Sequence, residues 1–276
     1  PPLHLDIDVG RILLAKEQAI SDVNGYLYCN HDKCNAARLH AKLAEGKHFD
    51  LLIDHENGAR TFSLTSNDAG RFLGAFDMVS NMYGGTLSMQ GTYDDSKPTH
   101  PLVGRLIIEE FLLRDAPVLG RILSLGSLEG LVNTLTGKGI GFDKFSGDFV
   151  FADDALSFKN TKMVGSSLGI TAEGDVSLKN AAINLKGTLV PVYAVNSLLS
   201  KIPLVGEALA GGEGQGILGI NYSVKGDYND PSVLVNPLSA FTPGFLRNLF
   251  DVFDQPAKPA NPTNGEAEAA PAQNAR

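Results

Sequence analysis

Apolar and polar residues alternate along most of this chain. Leu3, Leu5, Ile7 and Val9 are separated by His4, Asp6 and Asp8. The same two-residue period runs through Ala37, Leu39, Ala41 and Leu43, then Phe49, Leu51 and Ile53, then Phe62 and Leu64. It returns at Leu87, Met89 and Tyr93, at Phe145, Phe149 and Phe151, and at Leu156 and Phe158. Further runs are Leu168, Ile170, Ala172, Val176 and Leu178; Ile183, Leu185 and Leu189; and Leu218, Ile220, Tyr222 and Val224. A period of two gives each strand one greasy and one wet face. Turn signals fall between the runs: Asn57-Gly58, Asp94 to Pro98, Asp153-Asp154, Lys179-Asn180 and Asn229-Asp230-Pro231. The expected fold is mainly β, a meander of antiparallel strands with a few helices.

Four stretches break the alternation in favour of helix. Asp68 caps a short one through Met78, with Phe72, Leu73 and Phe76 on one side. Pro117 opens a second, apolar at Val118, Leu119, Ile122, Leu123, Leu128, Leu131, Val132 and Leu135. A third spans about 192–209 around Pro203. The last starts at Thr242-Pro243 and carries Phe245, Leu246, Leu249, Phe250 and Phe253. That apolar stripe suits a cap packed on the sheet or a helix lying in a membrane interface. Ala116 to Leu123 echoes Ile202 to Leu209, so either two related helix-plus-sheet units exist or the echo is coincidence. The expected division is strands over 1–66, helix-plus-sheet units over 67–253 and a disordered tail over 254–276, which has no large apolar side chain.

Charge narrows the function. The net charge is -8, and Lys258 and Arg276 cancel Glu266 and Glu268 in the tail, so the acidity sits in the folded part. An acidic body without a Lys/Arg cluster is a poor ligand for nucleic acid. No segment approaches the length of a membrane-spanning helix. The chain starts inside a strand without a Met, which reads as a fragment of a longer protein.

Two motifs fail on context. Gly165-x-Ser167-x-Gly169 spells a hydrolase elbow, but strand residues follow where a helix must. Gly214-x-Gly216-x-x-Gly219 leaves a helix and enters a strand, the reverse of a dinucleotide site. No paired carboxylates share a site, so no catalytic residue, cofactor or resident metal is expected. Cys29 and Cys34 bracket a hairpin turn. A disulfide is the first reading and a zinc site using Cys29, His31, Cys34 and His40 the second.

An ordered series of segments carries a resemblance. It comprises Asn67-Asp68-Ala69-Gly70, Gly84 to Leu87, Asp115 to Leu119, Gly139 to Phe142, Gly187 to Pro191 with Asn196, Ile202 to Gly206, Asp230-Pro231, Val235 to Ala240 and Pro243 to Arg247. It resembles the C-terminal region of the AsmA-like family of Gram-negative envelope proteins, which includes YhdP and is related to TamB. The resemblance implies a curled antiparallel sheet, a β-groove, with amphipathic helices covering or capping it. It implies a periplasmic location, an N-terminal anchor in the inner membrane and passage of phospholipid towards the outer membrane. Helices too few to cover such a sheet leave apolar strand faces for phospholipid acyl chains. The candidate groove line is Leu168, Ile170, Leu185, Leu189, Leu218, Ile220 and Tyr222. The competing expectation is a non-catalytic scaffold that binds outer-membrane or other envelope proteins through a free sheet edge.

Overall fold

The computed structural model describes residues 2–30, 33–192 and 219–236. Alternation folds as expected into antiparallel strands: β1 (Leu3–Leu13), β2 (Ala19–Asn30), β3 (Lys33–Lys42), β4 (His48–Glu56), β5 (Ala59–Ser66), β6 (Met82–Tyr93) and β7 (Leu102–Leu113). The series continues with β8 (Ile140–Ala152), β9 (Ala155–Val164), β10 (Leu168–Ser177), β11 (Ala182–Pro191), β12 (Ile220–Asp227) and β13 (Ser232–Asn236). Each strand pairs with its neighbours in sequence, giving one 13-stranded sheet in the order β1 to β13. Among the described residues β1 and β13 each pair on one side, so the sheet is not closed into a barrel.

A meander sorts its connections by end. Tight hairpins at Asn57-Gly58 and Asp153-Asp154, together with the links β6–β7, β10–β11 and β12–β13, lie at one end of the strands. The other end carries the helices: α1 (Ala69–Ala75) between β5 and β6, then α2 (Pro117–Leu125) and α3 (Glu129–Thr136) between β7 and β8. The expected first helix is shorter than its apolar pattern, because it ends at Phe76. The second breaks into two at Gly126, where Ser127 takes φ 58°. The third and fourth expected helices fall on 193–218 and 237–276 and lie outside the described residues.

Asp68 caps α1 by accepting the Arg71 N–H at 3.0 Å. Gly70 lets α1 press on the sheet: a Cβ there would stand 2.4 Å from the Met82 carbonyl oxygen. Phe49 of β4 then meets Phe72 edge-on at 5.1 Å. Leu119, Ile122 and Leu123 of α2 and Leu135 of α3 are buried in the same apolar cluster as strand residues from β2 to β12.

Long-range contacts show that the sheet curls. Arg121 of α2, close behind β7, donates to the Pro231 carbonyl at 2.8 Å in the β12–β13 hairpin. In a flat sheet six strand spacings would put β7 and β13 about 29 Å apart. Lys33 on β3 likewise reaches Asp95, just past β6, at 3.2 Å. The two faces differ in kind. The outer one carries cross-strand ion pairs, Glu173–Lys186 at 2.9 Å and Glu109–Lys144 at 2.8 Å, while the inner one carries the apolar cluster.

Candidate functional site: an apolar row across the sheet

Register places opposite residues on the same face, so residues paired from strand to strand form rows across the sheet. One row runs without interruption from edge to edge: Leu5, Leu27, Ala37, Ile53, Phe62, Gly91, Gly104, Phe149, Phe158, Gly174, Leu185, Val224 and Val233. Every position is apolar or glycine. A second row two residues nearer the helices reads Ile7, Gly25, Leu39, Leu51, Leu64, Met89, Leu106 and Gly147, and resumes as Thr161, Ala172, Gly187, Tyr222 and Val235.

Protein covers this floor unevenly. Ala37, Ile53, Phe149 and Val224 are buried. Leu27, Phe62, Phe158, Leu185 and Val233 are half-buried, and Leu5 at the β1 edge is 44% exposed. Towards the helices burial is deeper: Leu168, Ile170, Leu189, Ile220 and Tyr222 all sit in the core cluster. Ile220 lies under the end of α2, where a Cβ at Gly126 would come 2.5 Å from its Cδ1. Tyr222 donates its hydroxyl to the Thr171 carbonyl at 2.8 Å over Gly187, and burial pushes its phenol pKa up. Of the candidate groove line, then, Leu185 is half-open and five residues are packed under or beside the helices. Leu218 lies outside the described residues, as do Phe245, Leu246, Leu249, Phe250 and Phe253.

Two residues below the floor, at the hairpin end, the next row changes character along the sheet. From β4 to β6 it is polar: His55 and Arg60 pair, and Tyr93 follows. From β7 to β12 it is Leu102, Phe151, Leu156, Val176, Ile183 and Gly226. Arg60 is only 4% exposed. Its guanidinium lies 3.6 Å over the Tyr93 ring. Nε and Nη2 donate to the two Asp95 oxygens at 3.1 and 2.7 Å, and Nη1 donates to the Cys34 carbonyl at 2.9 Å. The Arg60 hydrogen bonds, helped by Lys33, hold the Asp95 carboxyl well below the usual carboxylate range. Cys29 and Cys34 are joined in a disulfide, Sγ–Sγ 1.98 Å, which takes both thiols of the zinc reading.

Sequence reasoning treated Asp94 and Asp95 alike, as turn formers. Asp94 does this, accepting the Ser96 hydroxyl at 2.5 Å, but Asp95 is an ionic hub. The signal that could have found it is Arg60, which shares the parity of Phe62 and Leu64 and therefore the greasy face. The hydrolase-like spelling at Gly165-x-Ser167-x-Gly169 is a turn between β9 and β10, with no helix after it. No group of His, Cys, Asp and Glu among the described residues is arranged to hold a metal ion, and no described helix is long and apolar enough to cross a membrane.

A family model described as YhdP protein matches residues 49–233, from β4 into β13. The chain belongs to the YhdP family. At family level this is an envelope protein of the AsmA-like type, as the ordered segments implied. Neither the curated proteins nor the solved structures offered a match. In this YhdP-family chain the matched span covers most of the floor row, the ionic cluster apart from its β3 members, and the three α-helices of the described residues.

Proposed function

We propose that this chain is a segment of a periplasmic groove that conducts phospholipid between the inner and outer membranes. In this reading it supports outer-membrane integrity and does no chemistry of its own. The observation that carries it is the floor row: apolar or glycine at every strand from β1 to β13, with six of its nine large side chains incompletely covered. Acyl chains complete such a surface, each buried methylene contributing about 0.8 kcal/mol. Headgroups stay at the hairpin rim, where water is available. Movement is diffusion along one continuous oily track, so no acid, base or nucleophile is needed. Family membership supports an envelope role, and with it an inner-membrane anchor upstream of this segment.

The test is lipid carriage by the purified chain. Solvent extracts analysed by mass spectrometry should contain phospholipid in near-stoichiometric amount. Extracts no richer than those of an unrelated β-protein would sink the reading. Leu185→Asp and Phe158→Asp place charge on half-open floor positions. Both should keep the far-UV circular dichroism of the parent and lose most of the lipid. Ile170 and Ile220 do not serve this purpose, since a charge at either buried position unfolds the core.

A second reading has its own observation. β1 is an 11-residue edge strand with Leu3, Leu5, Val9 and Leu13 exposed. A long apolar edge of this kind recruits a strand from another protein. Lipid-free chain that nonetheless captures an envelope protein through β1 would favour this scaffold role.

A further inference from the structure

Among the described residues, the ionic cluster at the hairpin end sets two cations, Arg60 and Lys33, around one carboxylate, Asp95. Arg60 and Lys33 share one carboxylate, Asp95, with Lys33 Nζ at 3.2 Å and Arg60 Nη2 at 2.7 Å. His100 adds its Nδ1 at 3.1 Å from the same group. Three of the five Arg60 N–H groups are used, two on Asp95 and one on the Cys34 carbonyl. Among the described residues no acceptor takes the other two guanidinium N–H groups of this side chain, which is 3% exposed. Lys33, with its side chain 28% exposed, presents its ammonium at the cluster's open side. A buried cation with spare donors is costly unless an anion completes it.

The position matters as much as the charge. Arg60 stands two residues below Phe62 on β5, and Tyr93 two below Gly91 on β6. Any chain lying on Ile53, Phe62 and Gly91 would therefore end against this cluster. Elsewhere the hairpin rim offers Asp153, Asp154 and Asp227 beside Lys179, and Asp230 is paired with Arg121 at 2.9 Å. Asp94 and Lys97 next door pair at 3.0 Å and cancel. A planar guanidinium beside an ammonium is the arrangement that binds phosphate oxygens with shape as well as charge.

We propose that Lys33 and Arg60, set around Asp95, seat the phosphate of a lipid whose acyl chain lies on the floor beside them. This rests on the groove reading and adds a headgroup station to it. The ligand class is a phospholipid with an accessible phosphate. Neutral glycerides of the same chain length lack the group the cluster takes.

The test compares lysophosphatidate with a monoacylglycerol of the same acyl chain, titrated calorimetrically into the chain below their micelle concentrations. The wild type should bind lysophosphatidate at least about tenfold tighter, the worth of one charge-assisted hydrogen bond. Lys33→Gln is partly exposed and should keep the fold. It should bring the two lipids to within about threefold while monoacylglycerol binding is unchanged. Arg60→Lys keeps the charge but loses the fork, and should give an intermediate ratio. Equal affinity of the wild type for both lipids, or an unchanged ratio in Lys33→Gln, overturns the phosphate seat and leaves the groove standing. Binding of neither lipid overturns both. Inorganic phosphate that displaces lysophosphatidate at similar concentration would reassign the site to the free ion and overturn the lipid assignment.

Discussion

The two halves of the hairpin end solve one problem in opposite ways. Both lie two residues below the same apolar floor. On the β3–β6 side that level holds His55, Arg60 and Tyr93, with Asp95 and Lys33 just beyond it, and Arg60 is bound to a disulfide hairpin through the Cys34 carbonyl. On the β8–β12 side it holds Phe151, Leu156, Val176 and Ile183, with Phe151 36% exposed. The first half ends in bonds that have direction and partners. The second is merely apolar and stays incompletely covered. The lesson is that an oily strand face does not by itself say how it ends. What stands at the strand ends decides what a chain lying on the face meets there.

Perturbing each half should expose that difference. The largest effect is expected from Arg60→Met, which takes two donors from the Asp95 carboxylate, leaving it Lys33 and His100, and strips the Cys34 carbonyl of its guanidinium partner. It should cost about 3 kcal/mol at pH 7 in urea unfolding. That cost depends on pH in a defined direction. Asp95 is held below its ordinary value, near 3.9, so its pairing stabilises above that pH and is lost as pH falls through the folded value. The gap between wild type and Arg60→Met should therefore narrow from pH 5 towards pH 2.5. A gap that stays constant would mean Asp95 is not the partner that matters.

Next comes the disulfide. Cys29→Ser with Cys34→Ser opens a small loop, for which chain entropy predicts about 2 kcal/mol. Thermal unfolding with and without reductant checks this: the wild type in reductant should match the double variant. On the apolar side, Val176→Ser should cost only about 1 kcal/mol, because the residue is half-buried and its neighbours already meet solvent. A cost above about 3 kcal/mol would show that side to be sealed core. The smallest effect belongs to Lys97→Ala, which removes an exposed pair with Asp94 and should shift stability by at most about 0.5 kcal/mol.

Much of the fold was legible before any coordinates. Period-two runs such as Leu3 to Val9 and Leu168 to Ala172 became β1 and β10, because burial of one face is a local property of alternation. Asp68 capped its helix for an equally local reason, its side chain reaching the Arg71 N–H. The candidate site was legible only in kind. Leu185 and Ile220 share a face parity with their neighbours, yet one is half-open and the other lies under Gly126 of a helix that follows β7. That contact spans nearly a hundred residues and no pattern along the chain encodes it. Asp95 was hidden for the same reason, since its partners come from β3 and β5.

By itself, then, the amino-acid order determined the strands, their oily and wet faces and the first helix cap. These follow from interactions between residues one to four positions apart. Only the tertiary structure decided the register that lines up thirteen apolar or glycine positions into one row, the curl that brings β13 near the helix after β7, and the ionic cluster at one half of the rim. Those depend on which distant strands meet, and that is settled by burying the whole inner face at once rather than by any single segment.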